Sequence, residues 1–227
     1  MANMVNAAGV NSGRAAIFDL DGTLLDSMGV WDAVDVEFLG RRGFDVPADY
    51  MQKVSAMQFH DIAAYTIRRF GLDDTPEELM REWNDLAYEA YTTTVELKPG
   101  ARAYLEWLRA SGARLAVATS MLPSLREPAM RHAGIYDLFD VVVGTGDDGR
   151  SGKDIPGIFL HTAQLLGVKP AHCTVFEDLL TAVESAKRAG MHVWGVQDDS
   201  SAMHWERICE TADGVLFDFT QAPRQLT

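Results

Sequence analysis

The feature that most constrains this chain is a recurrence of short apolar runs, rich in Val, Ile, Ala and Phe, separated by longer amphipathic stretches. Runs at 15–19, 114–119, 139–144, 174–177, 192–196 and 215–217 have the length of buried strands, and helical patterning lies between them. Strands that alternate with helices build a parallel sheet joined by helical crossovers, so the fold class is α/β. Several of these strands end on a polar or acidic residue: Asp19, Thr119, and Glu177 followed by Asp178. Open parallel sheets bind ligands outside the carboxyl ends of their strands, which predicts that these side chains converge on one crevice.

One connection is out of proportion. Between residues 19 and 114 the chain is far longer than a crossover requires, and it holds no convincing strand. Helical patterning at 30–42, 57–70 and 76–92, broken at Gly43, Pro47 and 71–75, predicts a small all-helical domain over 28–97, with Thr75-Pro76 as a helix start. Lys98-Pro99-Gly100 returns the chain to the sheet, where a helix over 101–110 packs through Tyr104, Leu105 and Leu108. The sheet domain then comprises 14–27 and 98–227, and the small, polar residues 1–13 are expected to form a disordered tail. Pro128 is expected to kink or shorten a helix over 124–133.

Charge and cysteine usage narrow the partners. With 33 acidic against 20 basic residues the formal charge is -13, which repels phosphate backbones and anionic lipid, so nucleic acid and membrane surfaces are excluded. The two cysteines, Cys173 and Cys209, read as free thiols, and the first dozen residues carry no signal-peptide pattern. A cytoplasmic protein is expected, with a monomer favoured.

Chemistry concentrates in Ile17-Phe18-Asp19-Leu20-Asp21-Gly22-Thr23-Leu24-Leu25-Asp26-Ser27, an apolar strand running into two carboxylates and a Gly-Thr turn. Asp-x-Asp-Gly also opens a calcium-binding loop, but such a loop needs further ligands where Leu24 and Leu25 stand. A strand-end carboxylate can attack phosphorus while a second one shuttles protons, which makes Asp19 the candidate nucleophile and Asp21 the candidate acid/base. Carboxylates and a phosphate share a site only if cations offset their charge, and Mg²⁺ suits an all-oxygen ligand set. Asp19, Asp21, Glu177 and Asp178 are its candidate ligands. Thr119 and Ser120 end a strand with a hydroxyl and exposed amides, and with Gly22, Thr23 and Lys153 they are the candidate phosphate contacts.

These segments resemble the four motifs of the haloacid dehalogenase superfamily, in the expected order: the Asp19 segment, Thr119-Ser120, Gly152-Lys153-Asp154-Ile155-Pro156, and Glu177-Asp178. The resemblance spans roughly 15–217. It implies a Rossmann-like doubly wound core, a helical cap with a gating role, and a hydrolase acting on a small phosphorylated metabolite through an aspartyl-phosphate on Asp19. It further implies that Lys153 and Thr119 hold the phosphoryl oxygens. Two positions depart from the family pattern: Asp154 follows Lys153, and Leu179 follows Asp178. They put the local loop geometry and the strength of Lys153's pull on phosphate in question.

The inserted domain is less informative. Where β-phosphoglucomutases keep a cap histidine this chain has Trp31, and the segment 52–58 offers Lys53 without an arginine, so hydrolysis ranks above mutase chemistry. Trp31 is expected to pack in the domain's core, and His60 to be solvated or to pack within the insert. A phosphosugar mutase and a catalytically weak phosphate-binding protein remain the alternatives.

Overall fold

The computed structural model describes residues 8–54, 57, 59–147 and 152–227. In chain order, β1 (Ala15–Phe18) and β2 (Leu25–Asp26) precede helices α1 (Gly29–Arg41), α2 (Tyr50–Val54), α3 (Phe59–Phe70) and α4 (Pro76–Thr93). There follow β3 (Glu96–Leu97), α5 (Ala101–Ala110), β4 (Arg114–Thr119), α6 (Pro123–His132), β5 (Val141–Gly144) and α7 (Gly157–Leu166). The chain closes with β6 (Cys173–Glu177), α8 (Leu180–Arg188), β7 (His192–Val196), α9 (Trp205–Thr211) and β8 (Gly214–Leu216). All six expected sheet strands are present, paired in parallel in the order β5-β4-β1-β6-β7-β8. The architecture is the expected Rossmann-like α/β sheet.

β1 is central because every one of its residues is apolar and fully buried, as a strand covered on both faces must be. The two-residue period of a strand sorts its side chains. Ala15 and Ile17 join Ala116, Val175 and Val193 on a face packed by Phe159, Ala163 and Val183 of the helices that follow. Phe18 points the other way and stacks on Phe176 at 4.7 Å, with Tyr104 of α5 edge-on to it and Phe219 tilted alongside. That aromatic layer fixes β1 against β6, and so fixes the spacing of the residues at their carboxyl ends.

The chain divides into two compact units, residues up to Met28 with Val95–Thr227, and Gly29–Thr94. In the smaller unit the described secondary structure is helical. α4 starts as its sequence predicts: Pro76 follows the N-cap Thr75, whose hydroxyl and Glu78 form a reciprocal capping box. The unit's core is an aromatic row, Trp31 on Phe59 at 5.6 Å, Phe59 on Trp83 at 5.6 Å and Trp83 on Phe38 at 5.4 Å. Trp31 therefore packs within this core, as expected, and His60 is exposed near Glu77.

Four expectations need correction. The tail is ordered from residue 8: Asn11 is fully buried, its amide donating to Ser111 Oγ at 2.8 Å and to the Arg224 carbonyl, while its carbonyl oxygen accepts from Leu226 N. A polar side chain with all these bonds clamps both chain ends to the α5–β4 turn; residues 1–7 lie outside the described ones. The strand expected over 139–144 begins at Val141, because Phe139 closes a turn and Asp140 turns its carboxylate onto Leu115 N at 2.8 Å. α6 runs through Pro128 to His132 rather than being cut short. α2 is a further helix, ending near the exposed Lys53; residues 55, 56 and 58 of the neighbouring segment are outside the described ones. Among the described residues no helix is long and apolar enough to cross a membrane.

Candidate active site

Because β1 lies between β4 and β6, the residues at their carboxyl ends meet at one edge of the sheet. Asp19 leaves β1 with its amide still donating to the Phe176 carbonyl at 3.1 Å, which holds it level with Glu177 and Asp178. One carboxylate oxygen each from Asp19, Glu177 and Asp178 lies within 4.8 Å of the others, and the three residues are at most 8% exposed. Lys153, ahead of α7, reaches into this group with its Nζ 2.5 Å from Asp19 Oδ1 and 2.5 Å from Glu177 Oε1. Glu177 Oε2 accepts the Leu179 amide at 3.0 Å, so the residue that departs from the family pattern contributes through its backbone while its side chain stays exposed.

The electrostatics are unbalanced: three carboxylates face one ammonium, a formal excess of two negative charges before any phosphate arrives. Burial pushes Glu177 up from the usual carboxylate range, opposed by Lys153 and reinforced by Asp19. Burial pushes Asp178 up as well, with Glu177 and Asp19 adding to it. Burial works against the Lys153 ammonium, but Asp19 and Glu177 outweigh it and hold its pKa above the ordinary value. Hard oxygen donors, crowded and short of positive charge, are the donor set a divalent cation such as Mg²⁺ takes. The residues present fit such an ion.

The remaining expected residues fall into place unequally. Thr119 is buried at the end of β4, and its Oγ1 accepts the Met121 amide at 3.0 Å, which leaves its proton free to donate elsewhere; Ser120 is exposed beside it. Asp21, expected among the metal ligands, is not in the cluster of three, and its Oδ1 accepts from Ser27 Oγ at 2.6 Å. Thr23, expected to touch phosphate, is fully buried and donates to Asp178 Oδ1 at 2.8 Å. Gly22 lies against the same carboxylate with φ +72°. Asp154 is exposed, and its backbone carbonyl takes a bond from Arg188; the ion pairs of Lys153 go to Asp19 and Glu177 instead.

Sequence reasoning gave Ser27 no role. The hydroxyl is buried at the point where the chain leaves β2, six positions beyond Asp21, and only the fold shows that the turn doubles back to bring them together. A second unforeseen device is Arg126 of α6, which grips Asp147 with two bonds of 2.9 and 2.7 Å while Asp147 accepts Gly144 N. With Thr145 N donating to the Thr119 carbonyl at 2.9 Å, it ties the loop after β5 to the end of β4.

Comparison with known proteins agrees with this geometry. The family model for haloacid dehalogenase-like hydrolases matches residues 14–190. The fructose-1-phosphate phosphatase YqaB of Escherichia coli (strain K12) is 32% identical over 176 residues, 77% of this chain and 92% of that protein. Hexitol phosphatase A of the same organism is 31% identical over 185 residues, 81% of this chain and 82% of its own length. In fold, a family IA hydrolase structure from Entamoeba histolytica superposes with a TM-score of 0.76 at 22% identity, covering 92% of this chain and 95% of that one. The strand-end carboxylates, the buried lysine and these matches together show that the chain belongs to the haloacid dehalogenase-like hydrolases, in their phosphatase subgroup.

Proposed function

We propose that this enzyme hydrolyses a small phosphorylated metabolite with Mg²⁺, through an aspartyl-phosphate formed on Asp19. One observation carries the reading: a buried carboxylate at the end of the central strand that shares a single ammonium, Lys153, with Glu177 and lies beside a third buried carboxylate, Asp178, so that three acidic groups face one cation. Mg²⁺, held by Asp19, Glu177 and Asp178, would supply the charge that lets an anionic phosphoryl group approach an anionic nucleophile.

Asp19 attacks phosphorus in line and the bond to the leaving oxygen breaks. Asp21 gives that oxygen its proton, then takes one from the water that opens the aspartyl-phosphate, so the cycle returns Asp19 and Asp21 to their starting forms. The 2.6 Å bond from Ser27 holds Asp21 ready for this exchange. Lys153, once phosphate enters, shares its donors with a phosphoryl oxygen, and the Thr119 hydroxyl supplies another. The helical unit is assigned the gating role, and the free thiols of Cys173 and Cys209 suit a reducing cytoplasm.

Phosphate release from a panel of sugar phosphates, polyol phosphates and nucleoside monophosphates, with Mg²⁺ or with chelator, tests the reading. Wild type should turn over part of the panel only with Mg²⁺, and Asp19→Asn should lose at least about a thousandfold while folding normally. Near-normal turnover by that variant would sink the nucleophile assignment; no release from any ester by wild type would favour mutase or binding roles.

A further inference from the structure

The turn after Asp19 does more than lead the chain away from the sheet. Gly22 and Thr23 both press on Asp178, 155 residues later than Thr23 in the chain. A Cβ on Gly22 would stand 2.6 Å from Asp178 Oδ2, so only a glycine lets the backbone lie this close, and its φ of +72° suits glycine as well. On the other side Thr23, 0% exposed, donates its hydroxyl to Asp178 Oδ1 at 2.8 Å. Thr23 is itself fixed, its amide bonded to the Leu20 carbonyl at 3.2 Å, inside a turn where Gly22 N bonds Leu25 O at 3.2 Å.

A carboxylate turns easily about its last carbon–carbon bond, because that torsion is broad and roughly two-fold. Something outside Asp178 must therefore set the direction of its oxygens, and the two neighbours that do so come from the nucleophile's own turn. We infer that Thr23 is a positioning residue for Asp178: its hydroxyl fixes the carboxylate's rotation and thereby the affinity of the acidic cluster for Mg²⁺. This inference rests on the metal-dependent reading above. It gives the threonine a role distinct from phosphate contact, and it makes the nucleophile turn and the β6 acidic pair one unit. Partners that orient a ligating carboxylate typically change metal affinity by about 10- to 100-fold when removed.

Valine is isosteric with threonine and fills the same buried space without the hydroxyl, whereas serine keeps the hydroxyl and drops the methyl. Isothermal titration with MgCl₂, paired with thermal denaturation with and without Mg²⁺, reads affinity independently of turnover. Thr23→Val should weaken Mg²⁺ binding about tenfold or more, and Thr23→Ser should stay within about threefold of wild type. Wild-type affinity in Thr23→Val, or a weaker site in Thr23→Ser than in Thr23→Val, would show that packing alone matters and overturn the inference. Should Thr23→Val fail to fold, Thr23→Ala carries the same expectation. Wild type that binds no Mg²⁺ at millimolar concentration overturns the inference outright, while wild type that binds Mg²⁺ yet releases phosphate from no ester overturns only the reaction assigned above.

Discussion

Among its described residues the sheet domain buries two lysine–carboxylate arrangements, and they differ in one respect that separates a site from a strut. Lys98 meets Asp198 one to one: Nζ lies 2.8 Å from Asp198 Oδ2 and 2.7 Å from the Gln197 carbonyl, and Asp198 Oδ1 takes the amide and hydroxyl of Ser200. Burial raises the Asp198 carboxyl's pKa, but the bonds from Lys98 and Ser200 prevail and hold it below the usual carboxylate range. Lys153 instead pairs with two carboxylates, Asp19 and Glu177, of a cluster of three, and burial pushes Glu177 and Asp178 up. A balanced pair is complete within the protein. An unbalanced cluster is complete only with something from outside, and that excess of acceptor charge marks the candidate active site.

Between the two lysines, the larger effect should come from removing the cation of the unbalanced cluster. Lys153→Met should lower turnover by about two to three orders of magnitude, the scale of losing a positioned donor to the reacting group. The same variant should regain part of its thermal stability on adding Mg²⁺, because the orphaned carboxylates remain able to bind a cation. Steady-state kinetics and melting curves with and without Mg²⁺ measure both. A variant with unchanged turnover would remove Lys153 from the chemistry.

The next effect belongs to the strut. Lys98→Met leaves Asp198 buried without its ammonium and should cost about 3 kcal/mol of stability, with turnover per folded molecule unchanged. Mg²⁺ should not rescue it, since one carboxylate already bonded to Ser200 makes no metal site. Replacing both partners, Lys98→Met with Asp198→Leu, should recover part of the loss, short of all of it because Asp198 also caps the turn at Ser200. Rescue of the single variant by Mg²⁺ would erase the distinction between the two regions.

What the sequence revealed divides along the same line. The strands, the helices at 101–110 and after Thr75-Pro76, and the convergence of Asp19, Lys153, Glu177 and Asp178 were legible because each is written within a few consecutive residues: an apolar run, a cap, a motif. Contacts closed by the fold were not. Thr23 looked like a phosphate contact because its partner is at 178, Ser27 had no assignment because its turn doubles back on Asp21, and Asn11 read as tail because its partners sit at 111, 224 and 226. Lys98 was read only as part of a returning linker, and nothing nearby in sequence announces Asp198. α2 escaped because five residues are too short to show a helical period.

A half-buried carboxylate sharpens the comparison, since the helical unit holds Asp35 with a hydroxyl where the sheet domain uses ammonium groups. Tyr50 bonds Asp35, and the Tyr50 hydroxyl also meets Thr66 Oγ1 at 2.7 Å, which in turn donates to the Ile62 carbonyl. Burial raises the Asp35 pKa from 3.8 to about 6, Asp32 adds to it, and the Tyr50 bond only partly opposes it. For an acid whose folded-state pKa lies above its unfolded value, the native state holds the proton more tightly, so its stabilisation is full below pH 3.8 and is lost as pH rises through about 6. Asparagine keeps the hydrogen-bonding shape and never ionises. Asp35→Asn should therefore match wild type near pH 4 and exceed it near pH 7.5 by about 1 kcal/mol, a figure reduced for the group's partial exposure. Chemical denaturation at the two pH values decides it: an equal difference at both would mean that burial does not set the proton affinity of this carboxyl, and that a hydroxyl serves it as well as an ammonium serves Asp198.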